Sequence, residues 1–144
     1  MSLLISHRGN LNGPIPEEEN KPSYIINALS AGYDVEVDVW IMDVDKLFLG
    51  HDKPQYPITE DFLENPKLWC HAKNVFAFSR MLRSGKIHSF WHQNDDYTLT
   101  SKGFVWTYTG KPLIANSICV LPELNNNEIP DFVFGICSDF IVKY

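Results

Sequence analysis

The sequence contains too few cysteines for a disulfide framework. Cys70, Cys119 and Cys137 are the only three in 144 residues. Their number is odd, they lie in apolar runs, and their spacing matches no zinc motif. We therefore expect buried free thiols in a reducing compartment, which predicts a cytoplasmic location.

Long apolar runs and an excess of basic residues are also missing. No apolar stretch is long enough to span a membrane, and the N-terminus lacks the pattern of a secretory signal. The 12 Lys and Arg residues against 18 Asp and Glu residues give a net charge of -6. This charge argues against a surface that binds nucleic acid or anionic membranes. An anionic small molecule is still compatible with it, because a bound metal ion reverses the local field.

The chain does have enough apolar residues for a core, at 44% of the total, and its length predicts a single domain over residues 1–144. Most of its strand-like segments end in a polar or charged residue, which is typical of the active-site mouth of an α/β sheet or barrel. The predicted strands cover eight segments: 3–7, 34–41, 47–51, 68–73, 88–92, 104–108, 117–121 and 134–138. Helices are predicted over 22–32 and 75–83, with a shorter one over 59–64.

Acids and valines alternate from Asp34 to Val39. In a strand, this period of two places all the carboxylates on one face and all the valines on the other. Neighbouring acids on that face, roughly 7 Å apart, repel by about 2–3 kcal/mol at an effective dielectric near 20. A divalent cation would remove this repulsion, and hard cations prefer carboxylate oxygens. The alternative is a half-exposed antiparallel strand, which shows the same alternation.

Two histidine-containing segments follow predicted strands. In the first, His7-Arg8-Gly9, arginine can bind two phosphate oxygens, glycine lets the backbone approach, and histidine transfers protons near neutral pH. In the second, His51 precedes Asp52. Together, the histidines predict a general acid and a general base beside a metal ion. The alternative for the first segment is a loop histidine with a solvated arginine.

In combination, these segments resemble the glycerophosphodiester phosphodiesterase family, which belongs to the phosphatidylinositol-phospholipase-C-like phosphodiesterase barrels. The resemblance implies an α/β protein with a compact, helix-poor (β/α)8 TIM-type barrel. It rests on His7-Arg8-Gly9, Glu19-Asn20, Glu36-Val37-Asp38-Val39 and His51-Asp52, in that order. Weaker matches are Lys73, Trp106-Thr107 and the segment 135–139.

The resemblance also implies a function, namely metal-dependent hydrolysis of small glycerophosphodiester-like molecules in lipid metabolism. His7 and His51 would be the general acid/base pair, and Glu36 and Asp38 would bind Mg²⁺ or Ca²⁺. The residues expected to hold phosphate or substrate are Arg8, Lys73, Asn20, His92 and Trp106. For Trp106, which shares a strand face with Tyr108, packing in the core is the alternative.

This chain departs from the family pattern in two ways. His71 stands where the family usually has an acid, two residues before Lys73, so the third metal ligand could be His71, Glu123, Asp139 or water. The chain is also much shorter than the roughly 250 residues of a typical barrel. Lost helices would leave an apolar outer wall bare, which predicts self-association.

Two other functions remain open from the sequence. The first is a catalytically degenerate barrel that binds a phosphorylated ligand without cleaving it, since His71 occupies a ligand position. The second is a lyase-type phospholipase relative that uses the two histidines without a metal ion. Dependence on a divalent cation distinguishes the hydrolase from both.

Overall fold

The computed structural model describes residues 1–126 and 128–144. Within them, ten strands form one mixed sheet. The strands are β1 Leu3–His7, β2 Asp34–Met42, β3 Lys46–Leu49, β4 Tyr56–Ile58, β5 Leu68–Ala72, β6 Ser89–Trp91, β7 Tyr97–Leu99, β8 Val105–Thr107, β9 Ser117–Val120 and β10 Gly135–Ser138. The helices are α1 Pro22–Ser30, α2 Glu60–Leu63 and α3 Val75–Ser84, and two 3-10 turns cover Pro122–Leu124 and Ile141–Lys143.

The sheet is a curled half-barrel. Its parallel strands run in the order β6, β5, β2, β1, β10, β9, β8. The pair β3 and β4 extends antiparallel from β2, and β7 lies antiparallel to β8. The curl brings side chains from distant strands together on the concave side, where the rings of Phe90 and Trp106 lie 4.6 Å apart between centroids.

The expected (β/α)8 TIM-type barrel is therefore wrong. The segment 47–51, expected to be its third strand, forms β3 and pairs antiparallel with β2, with Val39 opposite Leu49. The link between these strands is too short for the crossover of a dozen or more residues that a parallel pair needs. In the described part of the chain, β9 and β10 are each followed by a three-residue 3-10 turn and not by an α-helix. Helices and strands consequently do not alternate.

Two apolar layers lie on opposite sides of β2 and its neighbours. On the convex side, the valines of β2 pack against Ile25 and Ala28 of α1 and against Ala77 and Met81 of α3. Each fully buried valine contributes about 1.5–3 kcal/mol to folding. The concave side holds a second cluster, made of Ile5, Trp69, Phe90, Trp106, Ile118 and Cys137. This cluster fills the concave side of the sheet.

Caps set the ends of the helices near their predicted positions. Pro22 occupies the first turn of α1, where its missing N–H has no intrahelical partner in any case. The Asn74 side chain accepts a hydrogen bond from the Ala77 N–H at 3.0 Å and begins α3. Gly85 ends α3 with a φ of 68°, a left-handed conformation that favours glycine.

The convex face of β9 and β10 is less apolar than the sequence predicted. Ser117 and Ser138 are fully buried there, and Cys119 and Ile136 are each only 6% exposed. The 3-10 turn Ile141–Lys143 packs on β1 and β10. A bare apolar wall is thus not present on these two strands, and self-association stays a prediction.

The three cysteines are free and buried, as predicted. Among residues 1–126 and 128–144, no helix combines the length and the apolar character that a membrane crossing requires.

Candidate functional site

A cleft of about 370 Å³ opens where the parallel strands end. Loops at the carboxyl ends of parallel strands meet at one edge of a sheet, which is the usual position of an α/β active site. Eight residues that the sequence singles out line this cleft: His7, Arg8, Glu36, His51, His71, Lys73, His92 and Trp106. The fold thus brings together residues that are up to 99 positions apart in the chain.

Of the acids of β2, Glu36 lines the cleft and Asp38 is buried beside it. Glu36 is 2% exposed and Asp38 is 0% exposed, so the strand is not the half-exposed one that the alternation also allowed. Glu36 Oε2 and Asp38 Oδ1 have no hydrogen-bond partner among the described residues. Buried carboxylate oxygens without a partner are costly, which makes this pair a candidate ligand set for a cation.

The two carboxylates have opposite electrostatic surroundings. Burial and the neighbouring charge of Asp38 raise the pKa of Glu36 well above its ordinary value. Burial would also raise the pKa of Asp38, but contact with His71 and the charge of Arg8 hold it below its ordinary value. Asp34, the first acid of the alternation, accepts a hydrogen bond from Trp69 Nε1 at 2.9 Å and does not line the cleft.

Arg8 and Asn20 hold Asp38 in place. Arg8 Nε lies 3.2 Å from Asp38 Oδ2, and the Asn20 amide donates to the same oxygen at 2.9 Å while it accepts from the Asp38 N–H at 3.0 Å. Arg8 and Asn20 have positive φ values of 57° and 66°, a conformation that costs side-chain-bearing residues about 1–3 kcal/mol and that clusters at functional sites. Asn20 was expected to contact substrate, but its buried side chain supports Asp38 instead.

His71 completes a group of three potential ligands. Its Nδ1 atom lies 3.2 Å from Asp38 Oδ1 and 3.9 Å from Glu36 Oε1, and one ligand atom from each residue lies within 4.8 Å of the others. The unpartnered oxygens and this convergence fit a divalent cation, which Glu36, Asp38 and His71 would hold. Glu123, the other expected ligand, does not join them. Its carboxylate accepts from Ser138 Oγ and from the Asp139 N–H, at 3.0 and 3.1 Å.

His7 has a carboxylate partner on the neighbouring strand exit. Asp139 Oδ1 lies 2.7 Å from His7 Nδ1, and the Asn10 amide donates to the same oxygen at 2.8 Å. Burial opposes ionisation of Asp139, but the hydrogen bond from His7 lowers its pKa below the ordinary value. The sequence marked Asp139 only as an alternative metal ligand. Nothing in the sequence marked Asn10 as a site residue, because an asparagine after a loop glycine is common in turns.

His51 faces the cleft from β3 and the loop that follows it. Its side chain is 41% exposed, and Nδ1 lies 2.7 Å from Asp52 Oδ1. Burial and the charge of Arg8 lower its pKa, which favours the neutral imidazole. The Gly50 carbonyl accepts a hydrogen bond from Trp40 Nε1 at 2.6 Å and fixes the backbone just before His51.

Two positively charged side chains, those of Arg8 and Lys73, lie near Glu36 and Asp38. Arg8 is held by Asp38 and also by Glu19, whose Oε2 atom lies 3.3 Å from an Arg8 terminal nitrogen. Lys73 lines the cleft and forms no ion pair with the residues described. Gly9 follows Arg8 with a φ of 93°, and a Cβ atom there would collide with the Tyr24 ring. This turn therefore requires glycine.

Aromatic rings form part of the wall of the cleft. Trp106 is 5% exposed and belongs to the concave core while its edge lines the cleft, so both interpretations of this residue apply. The ring of His92 lies 6.3 Å from that of Tyr108, and burial together with the charge of His71 lowers the His92 pKa. Trp91 also lines the cleft, although the sequence did not single it out. The wall suits an apolar part of a ligand.

Comparisons of this chain with protein-family models, with curated proteins and with solved structures give no match. Any assignment of function therefore depends on the residues and geometry described above.

Proposed function

We propose that this protein is a phosphodiester hydrolase of the glycerophosphodiester phosphodiesterase type and that it depends on a divalent cation. One observation carries the proposal: His7, His51 and Glu36 line a single cleft, and the buried Asp38 lies next to Glu36 and His71 behind that lining. Proton carriers, candidate metal ligands and cations for phosphate are thus within one site. Together, these groups are sufficient for metal-assisted phosphodiester cleavage.

The cation would be held by Glu36, Asp38 and His71. When bound, it would supply positive charge to the phosphoryl oxygens. Mg²⁺ and Ca²⁺ are the ions that the two carboxylates favour. Arg8 and Lys73 add fixed positive charge to the lining of the cleft, where they would orient the phosphate group.

The histidines would transfer the two protons of the reaction. One imidazole takes a proton from the attacking hydroxyl, which belongs to water or to a neighbouring position on the substrate, as its oxygen bonds to phosphorus. The other imidazole donates a proton to the leaving oxygen as the second P–O bond breaks, and an alcohol departs. Asp139 orients His7 for this work through the 2.7 Å contact.

The substrate would be a small diester with an apolar or flat leaving group. The lining of the cleft combines charged residues with the aromatic side chains of Trp91, Trp106 and Tyr108. Of the glycerol, lysolipid and sugar diesters, the lysolipids combine a phosphate with an apolar group.

The test is hydrolysis of bis(p-nitrophenyl) phosphate by the purified chain before and after treatment with EDTA. We expect EDTA to abolish turnover and an added divalent ion to restore it. Glu36→Gln should remain inactive after the ion is added, whereas Glu17→Gln, a change of an exposed surface acid, should behave as wild type. Unchanged turnover after EDTA would exclude the metal-dependent mechanism and would favour histidine-only chemistry.

One observation favours a second function, the binding of a phosphorylated ligand without cleavage. His71 Nδ1 and Arg8 Nε each lie 3.2 Å from an oxygen of Asp38, so protein groups alone would hold this acid. Arg8 and Lys73 would then bind phosphate without a metal ion. In this case, calorimetry should detect binding of glycerophosphocholine in the presence of EDTA, while no product forms at any ion concentration. Product formation would eliminate this alternative.

A further inference from the structure

The hydrogen bond of His71 with a backbone carbonyl determines which of its nitrogens carries a proton. Nε2 lies 2.8 Å from the carbonyl oxygen of His92. A carbonyl oxygen only accepts, so Nε2 must donate its N–H. In the neutral imidazole, Nδ1 then carries a lone pair, and this is the nitrogen that lies 3.2 Å from Asp38 Oδ1.

Three lone-pair donors therefore converge on one point. Glu36 and Asp38 are 97% and 99% buried at the side chain, and Glu36 Oε2 and Asp38 Oδ1 have no hydrogen-bond partner in the described chain. A proton on His71 Nδ1 could serve one carboxylate oxygen but not both acids. A metal ion between the three groups would satisfy all of them.

Building on the metal site of the proposed function, we propose that it is selective for a first-row transition ion such as Zn²⁺ or Co²⁺ over Mg²⁺ and Ca²⁺. An imidazole nitrogen suits Zn²⁺ and its neighbours, whereas Mg²⁺ and Ca²⁺ take oxygen ligands. The His92 carbonyl fixes the ring orientation and tautomer of His71, as the outer partners of metal-bound histidines generally do. The histidine that departs from the family pattern thus determines the choice of ion.

The experiment measures binding of each ion to the metal-free protein by calorimetry, without any substrate. Most sites bind Zn²⁺ more tightly than Mg²⁺, so the informative quantity is the ratio of the two affinities in wild type and in His71→Glu. We expect the variant, whose three ligands are all carboxylates, to lower the ratio of Zn²⁺ to Mg²⁺ affinity by about tenfold or more. His88→Gln is the control, because His88 is buried against Thr100 and does not line the cleft, and it should leave the ratio unchanged.

A second measurement needs no variant. Nitrogen-15 NMR of the wild-type histidines should show that Zn²⁺ shifts Nδ1 of His71 while Nε2 keeps its proton. An unshifted His71 Nδ1 at saturating Zn²⁺, or an affinity ratio that His71→Glu does not alter, would overturn the inference. Selective binding without turnover would refute the hydrolase and leave the inference standing. Turnover that depends on a divalent ion, together with an affinity ratio that His71→Glu does not alter, would support the hydrolase and refute the inference.

Discussion

Asp139 Oδ1 lies 2.7 Å from His7 Nδ1, although 132 positions separate the two residues. The contact arises because β1 and β10 are parallel neighbours with Ser6 opposite Ser138. The next residues, His7 and Asp139, therefore lie side by side at the carboxyl ends of the two strands. The carboxylate accepts a hydrogen bond from Nδ1, which leaves Nε2 on the side of Glu36, 3.7 Å from its Oε2 atom. Asp139 therefore fixes the ring orientation and the tautomer of a proposed proton carrier.

Replacing Asp139 with asparagine should reduce catalysis without unfolding the protein. The amide oxygen can still accept from His7, but the side chain no longer balances a positive charge on the imidazole. We expect kcat for bis(p-nitrophenyl) phosphate to fall on the order of 100-fold with a smaller change in KM, since the charge matters while the proton moves.

The matched control is Asp52→Asn. Asp52 contacts His51 Nδ1 at the same distance of 2.7 Å, but its side chain is 91% exposed, and solvent screens exposed charge pairs. We expect kcat to fall by less than about threefold. Equal losses in the two variants would mean that Asp139 has no special role in positioning His7.

Loss of either cleft histidine should also abolish most of the activity. His7→Gln and His51→Gln each remove a proton carrier, and general acid–base catalysis of this kind contributes about 100-fold to 10,000-fold to the rate. His88→Gln is the control, since His88 does not line the cleft. Its Nε2 atom forms a hydrogen bond of 2.8 Å with Thr100 Oγ1. Thermal melts would establish that all three variants are folded. A loss below about tenfold for His7 or His51 would remove that residue from the mechanism.

Self-association, expected from the short chain, can be tested on specific side chains. Ile114 and Phe132 are each 56% exposed, close to the strands β9 and β10 that no α-helix covers within the described residues. Exposed apolar patches of this kind mark contact surfaces. Light scattering should give a mass above that of one 16.6 kDa chain, and the double variant Ile114→Asp, Phe132→Asp should return it to the monomer. A monomeric wild type would contradict the prediction.

The sequence predicted the local elements of the fold better than their connection. The predicted helices 59–64 and 75–83 nearly coincide with α2 Glu60–Leu63 and α3 Val75–Ser84 because capping is local chemistry. The strand β3 was recognised, but its direction was not, since periodicity reveals a strand without its partner. The length of the link before Lys46 was the usable signal, because a connection that short permits only an antiparallel pair.

The candidate site shows the same division. Glu36, Asp38 and the two histidines were found because strand periodicity and strand exits place them in common positions. The contact of Asp139 with His7 was missed, since it depends on which strands become neighbours. Glu123 was misplaced for the same reason. Its carboxylate lies beside Ser138 and Asp139, and nothing local to its own segment indicates that direction.

Glu36 and Asp38 should respond in opposite directions when each is replaced by its amide. Burial and the charge of Asp38 raise the pKa of Glu36 well above its ordinary value. The neutral Glu36 carboxyl therefore makes its full contribution to the free energy of unfolding below the ordinary carboxyl pKa. This contribution is lost as the pH rises through the raised pKa. Glu36→Gln keeps the uncharged form at every pH. At about pH 8 it should raise the Tm of the metal-free protein by a few degrees, which corresponds to about 1 kcal/mol.

Asp38→Asn should instead lower the Tm of the metal-free protein. Despite burial, contact with His71 and the charge of Arg8 lower the pKa of Asp38, so its charge stabilises the fold above the ordinary carboxyl pKa and is lost as the pH falls through the lowered value. Removing one member of a buried ion pair costs about 3–5 kcal/mol, because the partner charges remain. Calorimetric scans in EDTA between about pH 5 and pH 8 would measure both variants. Tm changes of the same sign in both variants would show that the two carboxylates share one electrostatic environment. The opposite pKa shifts described for Glu36 and Asp38 would then be contradicted.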